Sequence, residues 1–356
     1  MIDSDGKLAE FLPAIRAAEW VALDTEADSL HAYPEKLCLI QISLAAGDYL
    51  VDPLAGMDLG PFWPELKKHD LIMHGSDYDL RLLRKNHNFV PHKIFDTMLA
   101  SRLLGDREFG LVNLVKKYLD VTLEKGSQKA DWARRPLTPR MESYARNDTH
   151  YLKALSDILR GQLRERGRLP WLEESCARLV AECARTPAEE PDEVWRIKGS
   201  HKLSRAGLAA LRELWHWREK EAVAANRPPY FILSHETLIE LAAAAVENRE
   251  TDRLMPRHFS DRRREGLRQA VAAARNVDPA AHPQFRQFTT RRQSEGERRK
   301  FAELETKRNQ VAAELQIDPT IIASRATLLD LAREAPGEAE GLMSWQAGLL
   351  GVTLRP

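Results

Sequence analysis

The sequence predicts an α/β domain with a mixed sheet, followed by two small all-α domains. Short apolar segments that suit buried strands occur only in the early part of the chain, and helical periodicity then takes over. No alternating strand pattern occurs after about residue 192. The chain has 356 residues, enough for two or three domains, and its 43% hydrophobic and 30% charged residues are typical of globular proteins.

Four strands are predicted, at 20–23, 37–42, 48–53 and 71–74. The gaps between the first three are short, which favours hairpins and therefore antiparallel pairing. Helical segments follow at 77–86, 96–104, 111–119 and 139 to about 164. A mixed sheet covered by helices fits this order better than a purely parallel sheet.

The longest of these predicted helices has clear start signals, with Thr138 as N-cap and Pro139 at the first helical position. Tyr144 and Asp148 lie one turn apart on its apolar, inward face. A carboxylate on such a face needs a partner, and a metal ion would be one.

Breaks rich in proline and polar residues divide the chain into a first domain at 1–186, a linker at 187–200, a helical domain at 201–277, a second linker at 278–297 and a second helical domain at 298–356. The two helical blocks are open to being distant copies of each other. Each is small, so we expect each to be a bundle with a modest core.

The net charge is zero, but the stretch 251–300 holds 13 Lys and Arg against 6 Asp and Glu. Such a stretch either binds nucleic-acid phosphate or is a solvated helix face with a linker. Cys38, Cys176 and Cys183 are too few and too scattered for a disulfide framework or a zinc site, which favours a reducing, cytoplasmic location. Neither a signal peptide nor a bilayer-spanning run is expected.

The most informative residues are four carboxylates and a tyrosine. Asp24 and Glu26 follow the first apolar run, and residues two apart on a strand share a face. Asp79 opens a helix after the fourth strand, and Tyr144 and Asp148 come later. Carboxylates that converge suit hard divalent cations, and a pair of cations can drive in-line phosphoryl displacement.

Each of these signals has a structural alternative. Asp-x-Glu recurs at Asp106 and Glu108, in a predicted polar loop. Asp79 is also a favourable first-turn acid, and a tyrosine on an inward helix face is usually part of the core. Their conjunction, in order and each at the place where a metal site needs it, favours the functional interpretation.

This pattern resembles the DEDD superfamily of 3′–5′ exonucleases, which have an RNase H-like (DnaQ-like) fold, and its tyrosine branch in particular. It is similar to the ribonuclease D family and to the related exonuclease of the nuclear exosome. The motifs that carry the likeness lie at 24–26, 39–41, 74–79, 95–97, 131–137 and 144–152. The segments 217–238 and 317–346 resemble two HRDC domains, the second more divergent.

The resemblance implies a 3′–5′ exoribonuclease that uses two divalent cations, Mg²⁺ or Mn²⁺, and no organic cofactor. Asp24, Glu26, Asp79 and Asp148 would hold the metals, and Tyr144 would orient the attacking water. RNA 3′ ends, with transfer RNA precursors the leading candidates, are the expected partners; a membrane is not expected, and a monomer is assumed.

Other assignments are less determined. Contacts with the terminal nucleotides are expected from Gln41, His74, Lys129 and Trp132, and each of these is equally open to a structural role. The arginines of 251–300 are expected to hold the body of the RNA. Asp96 is interpreted as a helix cap. Two rival functions remain open at this point, a 3′–5′ DNA exonuclease and a catalytically silent nucleic-acid-binding protein.

Overall fold

A computed structural model describes residues 1–124, 126–185, 193–285, 293–333 and 341–354. The chain forms two compact units. The larger unit comprises Met1–Ala27, Leu37–Arg185 and Arg291–Pro356, and the smaller comprises Asp28–Lys36 and Thr186–Thr290. The predicted linkers, 187–200 and 278–297, fall partly outside the described residues.

The larger unit contains a five-stranded sheet of order β3-β2-β1-β4-β5. The strands are β1 (Val21–Ala27), β2 (Leu37–Leu44), β3 (Gly47–Val51), β4 (Asp70–Met73) and β5 (Lys93–Asp96). β1, β2 and β3 pair antiparallel, whereas β4 and β5 continue the sheet in parallel. The predicted mixed sheet and its hairpins are thus confirmed. The fifth strand was not predicted.

Helices α1 to α8 complete this part of the unit, at Asp5–Ala17, Phe62–Leu66, Asp77–His87, Thr97–Leu104, Leu111–Leu119, Pro139–His150, Leu152–Glu165 and Leu169–Ala184. Thr138 caps α6 through its side chain and Pro139 begins it, as predicted. The prediction of one helix over 139–164 was wrong, since the chain turns at Tyr151. α6 packs on β1, β2 and β3, whereas α7 packs on β4 and α4, so tertiary packing imposes the break.

The remaining helices are α9 (Arg205–Ala225), α10 (Pro229–Ile232), α11 (His235–Val246) and α12 (Asp261–Arg275) in the smaller unit, and α13 (Glu295–Leu315), α14 (Pro319–Ile322), α15 (Arg325–Arg333) and α16 (Ser344–Leu350) in the larger. α13, α14 and α15 each begin 90 residues after α9, α10 and α11, respectively. The two helical blocks therefore repeat one layout.

A buried arginine marks this repeat. Arg218 in α9 donates to the backbone oxygen of Leu233 and to Glu219. Arg308, 90 residues later, donates to the backbone oxygen of Ala323 and to the neighbouring Asn309. Each guanidinium ties the long helix of its block to the segment before the third helix, which explains how a polar group is accommodated in so small a core.

Candidate metal centre and catalytic site

β1 and α6 bring three acidic side chains together. Asp24 and Glu26 share one face of β1, which lies between β2 and β4 in the sheet. α6 packs on β1 and β2 and carries Asp148. One carboxylate oxygen from each of Asp24, Glu26 and Asp148 lies within 4.8 Å of the other two. The convergence that the sequence predicted for these three residues is present in the structure.

Burial and mutual repulsion raise the pKa values of these carboxylates. Burial, and then the neighbouring acids, raises the pKa of Asp24 well above its ordinary range. Burial followed by Asp148 and Asp79 raises the pKa of Glu26 to about 9, and burial and Asp79 raise the pKa of Asp148 to about 8. The cluster therefore favours either protons or a bound cation.

The donor set fits a hard divalent cation. Within the part of the chain that the structure describes, the buried Oδ2 of Asp148 has no hydrogen-bond partner. Burying a carboxylate oxygen costs folding free energy unless a hydrogen-bond donor or a cation binds it. Three converging carboxylates offer the all-oxygen ligation that Mg²⁺ and Mn²⁺ prefer.

Asp79 lies beside this cluster without belonging to its close group of oxygens. It is in the first turn of α3, is 7% exposed, and its Oδ1 accepts a hydrogen bond from the hydroxyl of Thr25. Burial raises the pKa of Asp79 to about 7, although the Thr25 hydroxyl opposes this rise. Thr25, between the two acids of β1, was missed by the sequence analysis; the only signal was its place inside the motif.

Tyr144 stands one turn before Asp148 on α6, as predicted. Burial, and then the charges of Asp148, Glu26 and Asp24, raise the pKa of its phenol. The hydroxyl therefore keeps its proton at neutral pH and can donate a hydrogen bond. Gly126 lies against the ring of Tyr144. A side chain at position 126 would clash with it, since a Cβ there would lie 2.2 Å from Cδ2 of Tyr144. This requirement for glycine was also missed.

Asp96 fixes the loop between β4 and α3. Its carboxylate caps α4 by accepting from the backbone N–H groups of Met98 and Leu99. It also accepts from the backbone N–H groups of Gly75 and Ser76 and from the Ser76 hydroxyl. The interpretation of Asp96 as a helix cap is confirmed. The same carboxylate holds the turn that leads into the helix carrying Asp79.

The four predicted substrate contacts have different environments. Gln41 pairs with Asp24 across the β1–β2 ladder and is fully buried, and neither polar atom of its amide has a partner among the described residues. Its amide is thus available to a ligand beside Asp24. His74 is half-buried, with Nδ1 2.9 Å from the Thr97 hydroxyl, and burial lowers its pKa.

Trp132 and Lys129 lie in the loop before α6. Trp132 is 1% exposed and packs in a cluster with Cys38, Leu50 and Met141. This burial favours the structural alternative for Trp132, because a covered ring cannot stack on a base. Lys129 is exposed.

A polar cleft of about 390 Å³ adjoins Tyr144. Arg140, Ser143, Asn147 and Tyr151 contribute to its lining from one side of α6 and its end. The cleft begins at the proposed catalytic tyrosine, so it provides space for part of a substrate next to the acidic cluster.

The basic stretch 251–300 is partly committed to internal contacts. Arg262 and Arg263 both pair with Glu221, and Arg268 pairs with Asp252. Arg264 donates to backbone oxygens. These ion pairs and hydrogen bonds lie within the smaller unit, and the binding of RNA by this stretch stays a prediction. Positions 291 and 292 lie outside the described residues.

Comparisons with known proteins agree with this geometry. The family model for 3′–5′ exonuclease matches residues 1–164, and the model for the HRDC domain matches residues 207–251. A ribonuclease D from Zymomonas mobilis is 34% identical over 251 residues, which cover 68% of this chain and 63% of the relative. A ribonuclease D from Gluconacetobacter diazotrophicus is 29% identical over 365 residues, covering 99% of this chain and 90% of the relative.

The chain belongs to the ribonuclease D family.

The crystal structure of Escherichia coli RNase D, described as an exoribonuclease involved in structured RNA processing, aligns with a TM-score of 0.76 and 26% identity, covering 99% of this chain and 96% of that one. The catalytic core of RRP6 from Trypanosoma brucei aligns with a TM-score of 0.63 and 25% identity over 77% of this chain and 78% of that one. The ribonuclease D resemblance and the predicted fold class are therefore confirmed. The chain spans less than two thirds of the Zymomonas relative. Within the described residues, no helix is long and apolar enough to cross a membrane.

Proposed function

We propose that this member of the ribonuclease D family is a metal-dependent 3′–5′ exoribonuclease. The observation that carries the proposal is the meeting of the Asp24, Glu26 and Asp148 carboxylate oxygens within 4.8 Å of one another. Membership of the family, and the exonuclease model that covers residues 1–164, support the direction of hydrolysis. The names of its relatives support RNA as the substrate.

The acidic side chains would hold two divalent cations, Mg²⁺ or Mn²⁺. Asp24 would serve both ions, Glu26 and Asp148 would complete one site, and Asp79 would serve the other. Bound there, the cations would lower the pKa of a water molecule and offset the charge that develops on the phosphate.

The chain's own residues would orient the reactants. The protonated hydroxyl of Tyr144 would donate a hydrogen bond and aim the attacking water at the phosphorus of the last phosphodiester. The water oxygen bonds to phosphorus, the bond to the 3′ oxygen of the preceding nucleotide breaks, and that oxygen takes up a proton. The products are a nucleoside 5′-monophosphate and an RNA that is one nucleotide shorter.

Gln41 and His74 are the proposed contacts to the terminal nucleotide. Gln41 offers an unsatisfied amide directly across from Asp24, and His74 is neutral at pH 7, so it can hydrogen-bond without adding charge. By family membership, transfer RNA precursors and other small structured RNAs are the proposed substrates, in the cytoplasm and with the protein as a monomer.

A time course on a 5′-labelled RNA with a single-stranded 3′ tail tests this function. We expect a ladder that shortens from the 3′ end with Mg²⁺, and none with EDTA or with Asp24→Ala. The matched control is Asp157→Ala, which removes a surface carboxylate paired with Lys153 and should retain full activity.

An active, folded Asp24→Ala variant would refute the assignment of this acidic cluster as the catalytic metal site. A ladder on a DNA oligonucleotide of the same sequence but not on RNA would convert the proposal to a DNA exonuclease. RNA that stays intact under all conditions, yet binds, would favour the catalytically silent binding protein.

A further inference from the structure

The smaller unit exposes two neighbouring aromatic rings. Tyr230 and Phe231, both in α10, are 52% and 50% exposed. Their ring centroids lie 4.5 Å apart, and the guanidinium of Arg227 stands 6.0 Å from the Phe231 centroid. We call Arg227, Tyr230 and Phe231 the aromatic patch. Exposed large apolar side chains that adjoin one another commonly mark a binding surface.

The internal repeat shows that the fold does not require these residues. The positions 90 residues later are Ile317, Thr320 and Ile321. Ile317 is buried and Ile321 partly buried in the core of the larger unit, whereas Thr320 is exposed. The second block therefore uses the same layout with two core isoleucines and no aromatic ring at these positions. The first block instead carries a cation and two exposed rings. Core packing explains the two isoleucines of the second block, whereas the rings of Tyr230 and Phe231 are not part of the hydrophobic core of the first block.

The segment between β1 and β2 extends the patch. Leu30, 45% exposed, supplies the backbone oxygen that accepts a hydrogen bond from the Tyr230 hydroxyl. Tyr33 of the same segment donates to Glu219 at 2.6 Å. Glu219 thus binds both Arg218 and Tyr33, whereas its counterpart Asn309 has only one acceptor oxygen. The first block is adapted to hold residues 28–36, and this segment begins two residues after Glu26.

We propose that the aromatic patch is a stacking platform for unpaired bases of the RNA substrate, an inference that rests on the proposed function. Bases stack on exposed aromatic rings without regard to sequence, and a nearby arginine adds attraction for bases and phosphates. The positive charge of Arg227 complements the phosphate backbone. The proposed occupant of the aromatic patch is the single-stranded part of the RNA that lies 5′ to the nucleotide being removed.

The test compares binding and hydrolysis in the full-length protein. Binding of a fluorescein-labelled, unstructured 12-nucleotide oligoadenylate is measured by anisotropy in EDTA, and hydrolysis of this RNA and of a dinucleotide is measured in Mg²⁺. The variants are Tyr230→Ala with Phe231→Ala, Tyr230→Phe, and Val223→Ala as a control that removes an exposed apolar side chain from α9 of the same block.

We expect the double alanine variant to bind the 12-mer about ten- to a hundredfold more weakly, with a matching loss of kcat/KM on that RNA. Its rate on the dinucleotide should be unchanged, because two nucleotides occupy only the acidic site. Tyr230→Phe keeps a ring and should stay within about twofold of the parent protein, as should Val223→Ala. A 2-aminopurine base in the 12-mer should lose fluorescence on binding to the parent and not on binding to the double variant.

Unchanged 12-mer binding by a folded double variant would overturn the proposal and leave the patch to a protein partner. An equal loss on the dinucleotide would also overturn it, since the patch would then act through the active site. If the parent binds the 12-mer and hydrolyses neither substrate, the proposed function fails while the anisotropy comparison still decides the stacking platform.

Discussion

The hydroxyl of Tyr144 is proposed to act by orientation and not as a base, because its raised pKa keeps it protonated. Tyr144→Phe removes only that donor. We expect kcat to fall about 10²-fold, in the range of other single hydrogen bonds that act mainly in a transition state, with RNA affinity nearly unchanged. Single-turnover kinetics and anisotropy separate the two quantities.

Tyr118→Phe is the matched control for Tyr144, since the Tyr118 hydroxyl donates a hydrogen bond to the Asp106 side chain in a different loop. It should keep full turnover. Equal losses of affinity and turnover in Tyr144→Phe would make the tyrosine a binding residue instead.

The acidic cluster also makes stability depend on pH. In the folded, metal-free protein Glu26 and Asp148 have pKa values of about 9 and 8, against the ordinary values of 4.5 and 3.8 that we expect in the unfolded chain. Between those limits the folded state binds more protons than the unfolded state, so the free energy of unfolding falls as pH rises. We expect the Tm in EDTA to decrease from about pH 6 to about pH 9.

Mg²⁺ should reverse this trend, because it binds the ionised carboxylates and competes with protons. The increase in Tm that Mg²⁺ produces should therefore be larger at about pH 9 than at about pH 6, as measured by differential scanning fluorimetry. Asp148→Asn should weaken both effects. An equal Mg²⁺-induced increase at both pH values would contradict the proposed occupancy of this cluster.

At the scale of elements, Asp96 joins β5, the start of α4 and the turn before α3 through five hydrogen bonds. Asp96→Ala leaves several buried donors unsatisfied. We expect a loss of about 3 kcal/mol or more in the free energy of unfolding, measured with urea. Asp96→Asn retains one acceptor and should lose less.

Thr138→Ala serves as the comparison for Asp96, because it removes a helix cap and no other contact of this kind. It should cost about 1 kcal/mol. Equal costs for Asp96→Ala and Thr138→Ala would show that the bonds to Gly75 and Ser76 contribute little.

At the scale of the whole molecule, the second helical block shares the larger unit with the sheet. Arg168, 7% exposed, donates to the backbone oxygen of Leu103 at the end of α4 and to that of Leu315 at the end of α13. Two helix C-termini, each with partial negative charge, are thus held by one guanidinium. Gly105 lies so near the backbone oxygen of Gln316 that a Cβ would approach it to 2.1 Å.

Arg168→Ala should therefore loosen the second helical block. We expect faster amide hydrogen exchange in the last turn of α13, and Arg168→Lys should not restore protection, because one ammonium group cannot reproduce the two-armed geometry. Arg166→Ala is the control, since Arg166 bonds the backbone oxygen of Leu104 and leaves α13 untouched. Unchanged exchange in Arg168→Ala would show that the stacked Trp171 and Trp345 suffice to hold the block.

Local patterns in the sequence determined much of this protein. The two-residue period of a strand put Asp24 and Glu26 on one face, and the spacing of four put Tyr144 beside Asp148 on α6. Thr138 and Asp96 were predictable as caps because capping depends on a few neighbouring residues. The ribonuclease D motifs identified the family for the same reason, since each motif is a short run whose residues act together.

Only the tertiary structure decided the rest. The approach of Asp148 to Asp24 joins residues that are distant in the chain, and the break at Tyr151 arises because α6 and α7 pack on different elements. Long-range packing also buries Trp132. It groups residues 28–36 with the first helical block, and it groups the second helical block with the sheet. Sequence periodicity indicates which side of a helix or strand is apolar. It does not indicate which other element covers that side, because that depends on how the whole chain packs.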